Sequence, residues 1–133
     1  MDVNGVGGIF IKAKNPEKLY TWYEKNLGLQ RDDKGGFIIP VERLLPDYTL
    51  VSFLPVDTSY FSPSQAPCML NFQVNDLAPV LTKLAENGVR IEDHLSESEY
   101  GKFAWVFDPE GNKIEFWEPR PLFYNPIDIG EPD

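Results

Sequence analysis

Glu115 stands in Lys113-Ile114-Glu115-Phe116-Trp117, a run of β-favouring side chains in which successive residues face opposite ways. Ile114 and Phe116 share one face and suit packing beneath helices, which turns Glu115 to the other. A carboxylate among apolar groups can serve as a general base or accept from a donor on a ligand. Its plainer use is to pair with a nearby Arg, Lys or Tyr. Asn71 and Gln73 share a face with Met69 in the apolar run 69–74, and an amide there offers both donor and acceptor. Bonding to neighbouring backbone is the competing use. Phe10 and Lys12 alternate likewise after Gly8, Phe10 as pocket wall or plain core and Lys12 in solvent near a strand end.

Aromatic residues make up 14% of the chain, enough to line an apolar pocket that stacks a ligand. Tyr60 and Phe61 precede a Pro-rich crossover, and Tyr100 and Trp105 flank a loop and a strand further on. Each taken singly fits a core; the group suits a pocket wall. His94, the one histidine, lies among Glu92, Asp93, Glu97 and Glu99 and reads as a solvated loop residue. Its functional alternatives are a lid residue or an improvised metal ligand. The polar stretch 96–101 beside it is expected to gate the pocket mouth. The single Cys68 excludes an internal disulfide and a Cys-rich zinc site, and reads as a small buried hydrophobe. The chain has no G-x-x-x-x-G-K-[ST], no G-x-G-x-x-G and no G-x-S-x-G.

The elements that must position these residues follow from composition and pattern. A length of 133 residues fits one domain, and 42% hydrophobic with 25% charged residues supports a packed soluble core. Asp and Glu number 21 against 12 Lys and Arg, a formal charge of -9. That sign is wrong for a phosphate backbone or an anionic bilayer, so neither nucleic acid nor membrane is expected as a partner. The opening residues lack a basic, long-apolar leader, and no run approaches the roughly 18 apolar residues of a membrane span. A cytoplasmic protein is expected.

Residues 8–13 read as a strand, followed by Asn15 as helix cap, Pro16 at the first helical position and Glu17 complementing the dipole. Leu19, Tyr20, Trp22, Tyr23 and Leu27 form the apolar stripe, and Gly28 stops the helix. Residues 36–41 and 48–54 read as strands. The second half repeats the plan with a strand at 69–74, a helix capped by Asp76, and Leu77, Val80, Leu81, Leu84 and Ala85 on one stripe. Asn87-Gly88 ends that helix. Strands follow at 89–93 and 103–107, then a turn at 108–112 and a closing strand at 113–117. Phe10 matches Asn71, Asn15 matches Asp76 and Gly28 matches Gly88, at a spacing of 60–61 residues. The pattern is a duplicated β-α-β-β-β unit. Two βαβββ modules make an α+β domain whose mixed sheets curve into a partly closed barrel, with helices outside and a pocket on the concave face. The expected layout is a single domain over residues 1–133. Module one covers about 6–55, a crossover 56–67, module two about 68–119, and an extended tail 120–133.

The strand-Asn15-Pro16-helix opening that ends in Leu27-Gly28-Leu29 resembles the first module of the glyoxalase/bleomycin-resistance/extradiol-dioxygenase superfamily, also called vicinal oxygen chelate. The ending Phe107-Asp108-Pro109-Glu110-Gly111-Asn112-Lys113-Ile114-Glu115-Phe116-Trp117-Glu118-Pro119 resembles its last hairpin, and the likeness runs from about Val6 to Pro119. For metal-dependent members the resemblance implies one His, Gln or Glu ligand on each of four strands, at positions that fall here on Gly8, Ser52, Met69 and Glu115. Only Glu115 is a usual ligand. Gly8 has no side chain, Met69 is a soft thioether and Ser52 a poor donor, so no metal or other cofactor is expected, with a divalent ion at Glu115 as the weaker alternative. The resemblance implies a small-molecule binding protein, similar in logic to antibiotic-sequestering members. Phe10, Ser52, Tyr60, Met69, Asn71, Tyr100, Trp105 and Glu115 would surround a cationic or donor-rich ligand. The alternative is a glyoxalase-like lyase or isomerase with Glu115 as catalytic general base or metal ligand. A homodimer is expected, since such modules pair between or within chains and Leu122-Phe123-Tyr124 in the tail carries apolar groups suited to a partner surface.

Overall fold

The fold comes from a computed structural model that describes residues 6–33, 35–40 and 48–120. Helix α1 (Pro16–Leu27) begins where Asn15 Oδ1 accepts the Lys18 N–H at 3.1 Å, and it ends at Gly28 in the left-handed region, φ 71°. A short antiparallel pair follows, β1 (Gln30–Arg31) with β2 (Phe37–Ile38). β2 lies within the expected 36–41 strand. Two residues cannot display a period, so β1 has no signature in the sequence.

The second half supplies β3 (Leu70–Gln73), α2 (Leu77–Glu86), β4 (Arg90–Ile91), β5 (Ser96–Ser98), β6 (Gly101–Phe107) and β7 (Lys113–Pro119). They form one five-stranded mixed sheet in the order β3-β7-β6-β4, with β5 also paired to β6. β3 runs parallel to β7 and the other pairs are antiparallel. Ala104 and Val106 of β6 and Ile114 and Phe116 of β7 join Leu77 and Leu84 of α2 in a single buried cluster. Helix α1 enters it through Tyr23, whose hydroxyl donates to Asp108 Oδ2 at 2.8 Å. Burial, and then the Asp108 charge, push the Tyr23 pKa well above its ordinary value. Asp108 also accepts the N–H groups of Glu110 and Asn112, which closes the turn between β6 and β7. From that turn Glu110 reaches back to accept the N–H groups of Lys14 and Asn15, both at 2.9 Å. Those two bonds hold its carboxyl below the usual range.

Five expectations need correction. No sheet closes into a barrel among the described residues, because the five-stranded sheet belongs wholly to the second half and the first half offers only β1 and β2 to face it. The expected strands at 8–13 and 48–54 take no strand pairing there, and Phe10 and Phe53 are 100% and 95% exposed. Asp76 flanks α2 but makes no side-chain cap bond; Glu118 of β7 accepts the Leu77 N–H at 2.8 Å instead, because the strand beside the helix start brings a carboxylate to it. The stretch 96–101, expected as a gate, is a paired hairpin in which Ser98 opposes Gly101. Gly101 has φ 128°, and a Cβ there would run into the Glu118 carbonyl, so only glycine fits. The hairpin tip is tied down as well: Tyr100 O accepts from Trp117 Nε1 at 2.8 Å, and Arg120 pairs with Glu97 at 2.7 Å. Cys68 is exposed, not buried, since it lies in the irregular stretch just ahead of β3. Leu122-Phe123-Tyr124 lies outside the described residues. Among those residues no helix is long and apolar enough to cross a membrane.

Candidate functional site

One face of the sheet is spent on the helices; the chemistry lies on the other. Alternation along β7 turns Lys113, Glu115 and Trp117 away from Ile114 and Phe116, and the register sets Trp105 directly opposite Glu115. On the other flank Asn71 of β3 pairs with Glu115. Glu115 is only 6% exposed, so its carboxylate needs partners. The segment just after residue 57 supplies one. It crosses this face as a series of tight turns, with the Ser62 N–H donating to Ser59 O and the Ser64 N–H to Phe61 O. The Tyr60 hydroxyl donates to Glu115 Oε1 at 2.7 Å, and its ring stands edge-on to Trp105 with centroids 6.2 Å apart. Burial, and then this hydrogen bond, raise the Tyr60 pKa above its ordinary value.

Lys113 anchors the same segment. Its buried ammonium donates to the Tyr60 and Ser62 carbonyls at 2.9 and 3.1 Å and faces Glu92 at 3.4 Å. It also lies 5.7 and 5.5 Å from the Tyr60 and Trp105 ring centroids, within cation–π range. His94 is exposed, as a loop histidine should be, yet its ring stacks on Trp105 at 5.5 Å and 4°. The Trp105 indole N–H is buried without a hydrogen-bond partner. It lies near enough to the Tyr60 oxygen to favour a phenolate there, but outside hydrogen-bonding geometry. The arrangement thus presents an acceptor and an unused donor side by side among aromatic rings.

Of the eight residues singled out in the sequence, Tyr60, Trp105 and Glu115 are in direct mutual contact, with Asn71 beside Glu115 in register. Met69 precedes β3 and is half-buried. Phe10 and Ser52 are exposed, and Tyr100 is at the hairpin tip, at the other end of the β6–β7 ladder. Sequence reasoning missed Lys113, Glu92 and the stacking of His94. Lys113 shared the alternation that singled out Glu115 and could have been found by it. Nothing in the sequence marks Glu92 or the His94 stack. A separate hollow of about 460 Å³ lies between the end of α1 and the β1–β2 pair, lined by Leu29, Arg31, Ile38 and Pro40 among others. Its one cation, Arg31, is already paired with Glu17 and Glu24, so the chemistry is concentrated around Glu115 and not there.

Residues 5–116 match the family model described as Glyoxalase/Bleomycin resistance protein/Dioxygenase superfamily. The chain belongs to that superfamily. No curated protein matches it. Among solved structures it is similar to TnmS3, an antibiotic binding protein from Streptomyces sp. CB03234, at TM-score 0.57 and 22% identity, over 90% of this chain and 99% of that one. It is also similar to a lactoylglutathione lyase from Agrobacterium tumefaciens at TM-score 0.55 and 16% identity, over 88% and 95% of the two chains. TioX from Micromonospora sp. ML1 matches at TM-score 0.51 and 18% identity, over 81% and 93%. At these identities the likeness concerns the fold.

The superfamily's metal chemistry asks for several hard donors in one place. The positions that the resemblance assigns to its ligands are Gly8, about Ser52, Met69 and Glu115, and Glu115 Oε1 already accepts from Tyr60. One carboxylate beside a buried ammonium two residues away does not make a cradle for a hard divalent ion. The residues present do not fit the group.

Proposed function

We propose that this protein binds a small molecule on the helix-free face of its five-stranded sheet, with Glu115 as the polar anchor, Trp105 as wall and donor, and Asn71 as a flanking amide. The observation that carries the reading is the nearly buried Glu115 carboxylate set opposite a buried indole N–H that makes no hydrogen bond among the described residues. A buried, unmatched donor is costly, and a ligand acceptor would satisfy it. The carboxylate calls for a ligand rich in donors. The antibiotic-binding description of TnmS3 makes aromatic antibiotics the first molecules to try. The lyase or isomerase reading draws no support from the donor set, and a resident metal is not part of the proposal. Calorimetric titration with bleomycin and a panel of neutral and cationic aromatic antibiotics tests the site. Saturable binding of a panel member should weaken at least about tenfold in Glu115→Gln. Equal affinity in that variant would remove Glu115 from the site. Elemental mass spectrometry on protein purified without added metal or chelator should find far less than one divalent ion per chain; near one would restore metal chemistry.

A second copy of the chain is the proposed partner. Ile9, Phe10 and Ile11, with Leu50, Val51 and Phe53, leave a large apolar strip in solvent. In the internal repeat residues 8–13 correspond to β3, a strand that does have a neighbour, so strand pairing with a like chain suits them. Sedimentation equilibrium should give twice the chain mass, and Phe10→Asp should halve it.

A further inference from the structure

Tyr60 already fills the place where a ligand would act. Its ring meets Trp105 edge-on, 90° between planes, and its hydroxyl donates to Glu115. The fit is incomplete, for the Trp105 N–H beside it makes no hydrogen bond among the described residues and Tyr60 as a residue remains 43% exposed. The backbone under that side chain is held independently, by Lys113 on the carbonyls of Tyr60 and Ser62. The ring can therefore rotate out into solvent about its own Cα–Cβ bond while the segment stays in place.

We infer that Tyr60 is a built-in stand-in for the ligand, and that the site takes a neutral phenol whose ring replaces that of Tyr60 against Trp105 and whose hydroxyl donates to Glu115 while accepting the Trp105 N–H. The inference rests on the binding site proposed above and deepens it by naming the ligand class. A hydroxyl carries one donor and two acceptor lone pairs, which matches one carboxylate and one indole N–H side by side. A phenolate has no proton to give and would meet the Glu115 carboxylate as a like charge where a donor is needed, while the nearby Lys113 ammonium is already engaged by Glu92 and two carbonyls. An ammonium ligand would leave the indole unsatisfied, and an aliphatic alcohol would leave the aromatic wall unused. Because Tyr60 competes for the same two groups, wild-type affinity is reduced by the fraction of molecules in which Tyr60 occupies the site.

The probe is 4-hydroxyacetophenone at pH 6, where its phenol is neutral, with 4-methoxyacetophenone as the control that accepts but cannot donate. The full chain is labelled with nitrogen-15, and the indole N–H signals of Trp22, Trp105 and Trp117 are followed, Trp105→Phe giving the assignment. Tyr60→Phe should tighten Kd at least about tenfold over wild type, because a hydrogen bond to a charged group no longer has to be broken. Tyr60→Ala should tighten it further, with the Trp105 signal moving on binding and the methoxy control inert. Unchanged or weaker binding in both Tyr60 variants, or a Trp105 signal that ignores the probe in both, overturns the inference. The bleomycin-panel titration separates the two failures. Glu115-dependent binding there with no effect of Tyr60 sinks the stand-in alone, whereas loss of Glu115 dependence throughout sinks the site itself.

Discussion

Among the described residues, the second half of the chain builds its own sheet and nearly all of the buried core, while the first half builds one helix and a two-residue strand pair. Of the buried apolar side chains among the described residues, Tyr23 alone comes from before residue 77. Yet the halves share a plan. Residues 8–13 and 69–74 carry similar apolar runs at matching places ahead of matching helices. Among the described residues only the later run has an edge to join, the parallel β7. The difference teaches that an apolar run becomes a strand when a partner is within reach, and otherwise stays an exposed apolar segment awaiting one.

The contrast can be broken by substitution. Phe116→Ala should cost about 3–5 kcal/mol in a denaturant titration, since it opens a cavity in the one core. Phe10→Ala should change monomer stability by less than about 0.5 kcal/mol, since its side chain touches solvent all round. Similar costs for the two would mean that the first half has a core of its own. Next comes Gly101→Ala, expected to lose about 2–3 kcal/mol from the left-handed backbone and the Glu118 carbonyl behind it. Tyr23→Phe, which cuts the one hydrogen bond from α1 into Asp108, should cost about 1–2 kcal/mol. It also carries a pH signature. The raised pKa means that the folded chain keeps the Tyr23 proton at a pH where the unfolded chain has lost it. Its contribution is complete below the ordinary tyrosine value of 10.0 and is lost as pH climbs beyond that, so Tyr23→Phe should flatten the alkaline fall in melting temperature. Smallest is the cap of α2. Glu118→Ala should cost about 1 kcal/mol and Asp76→Ala about half that or less, and the reverse order would return the cap to Asp76.

What was legible in the sequence was whatever local physics dictates. Asn15, Pro16 and Gly28 delimit α1, and alternation puts Ile114 and Phe116 under the helices and Glu115 on the other face. The opening and closing motifs pointed to the superfamily that the chain belongs to. What was illegible depends on partners distant in sequence. Tyr60 reaches Glu115 across 55 residues, and no period or spacing announces that meeting. Asp76 is a well-chosen cap by type, but Glu118, 41 residues beyond Leu77, takes the bond. The polar run 96–101 looks like a loop because its paired residues are serines and a glutamate, which are poor strand formers with a good neighbour in β6.

Helix α1 is fastened mostly by the far end of the chain. Glu110 holds the N–H groups of Lys14 and Asn15 across 96 and 95 residues, Asp108 holds Tyr23 across 85, and Asn87 holds Asn26 across 61. A ribosome adds about 5–20 residues per second, so the start of the helix waits roughly 5–20 s after its own synthesis for the turn that will hold it. During that interval the exposed stripe of Leu19, Trp22 and Leu27 has no sheet to lie on. The stripe of α1 is therefore covered only once the β6–β7 hairpin has been made, and the first half of the chain folds at the pace of the second.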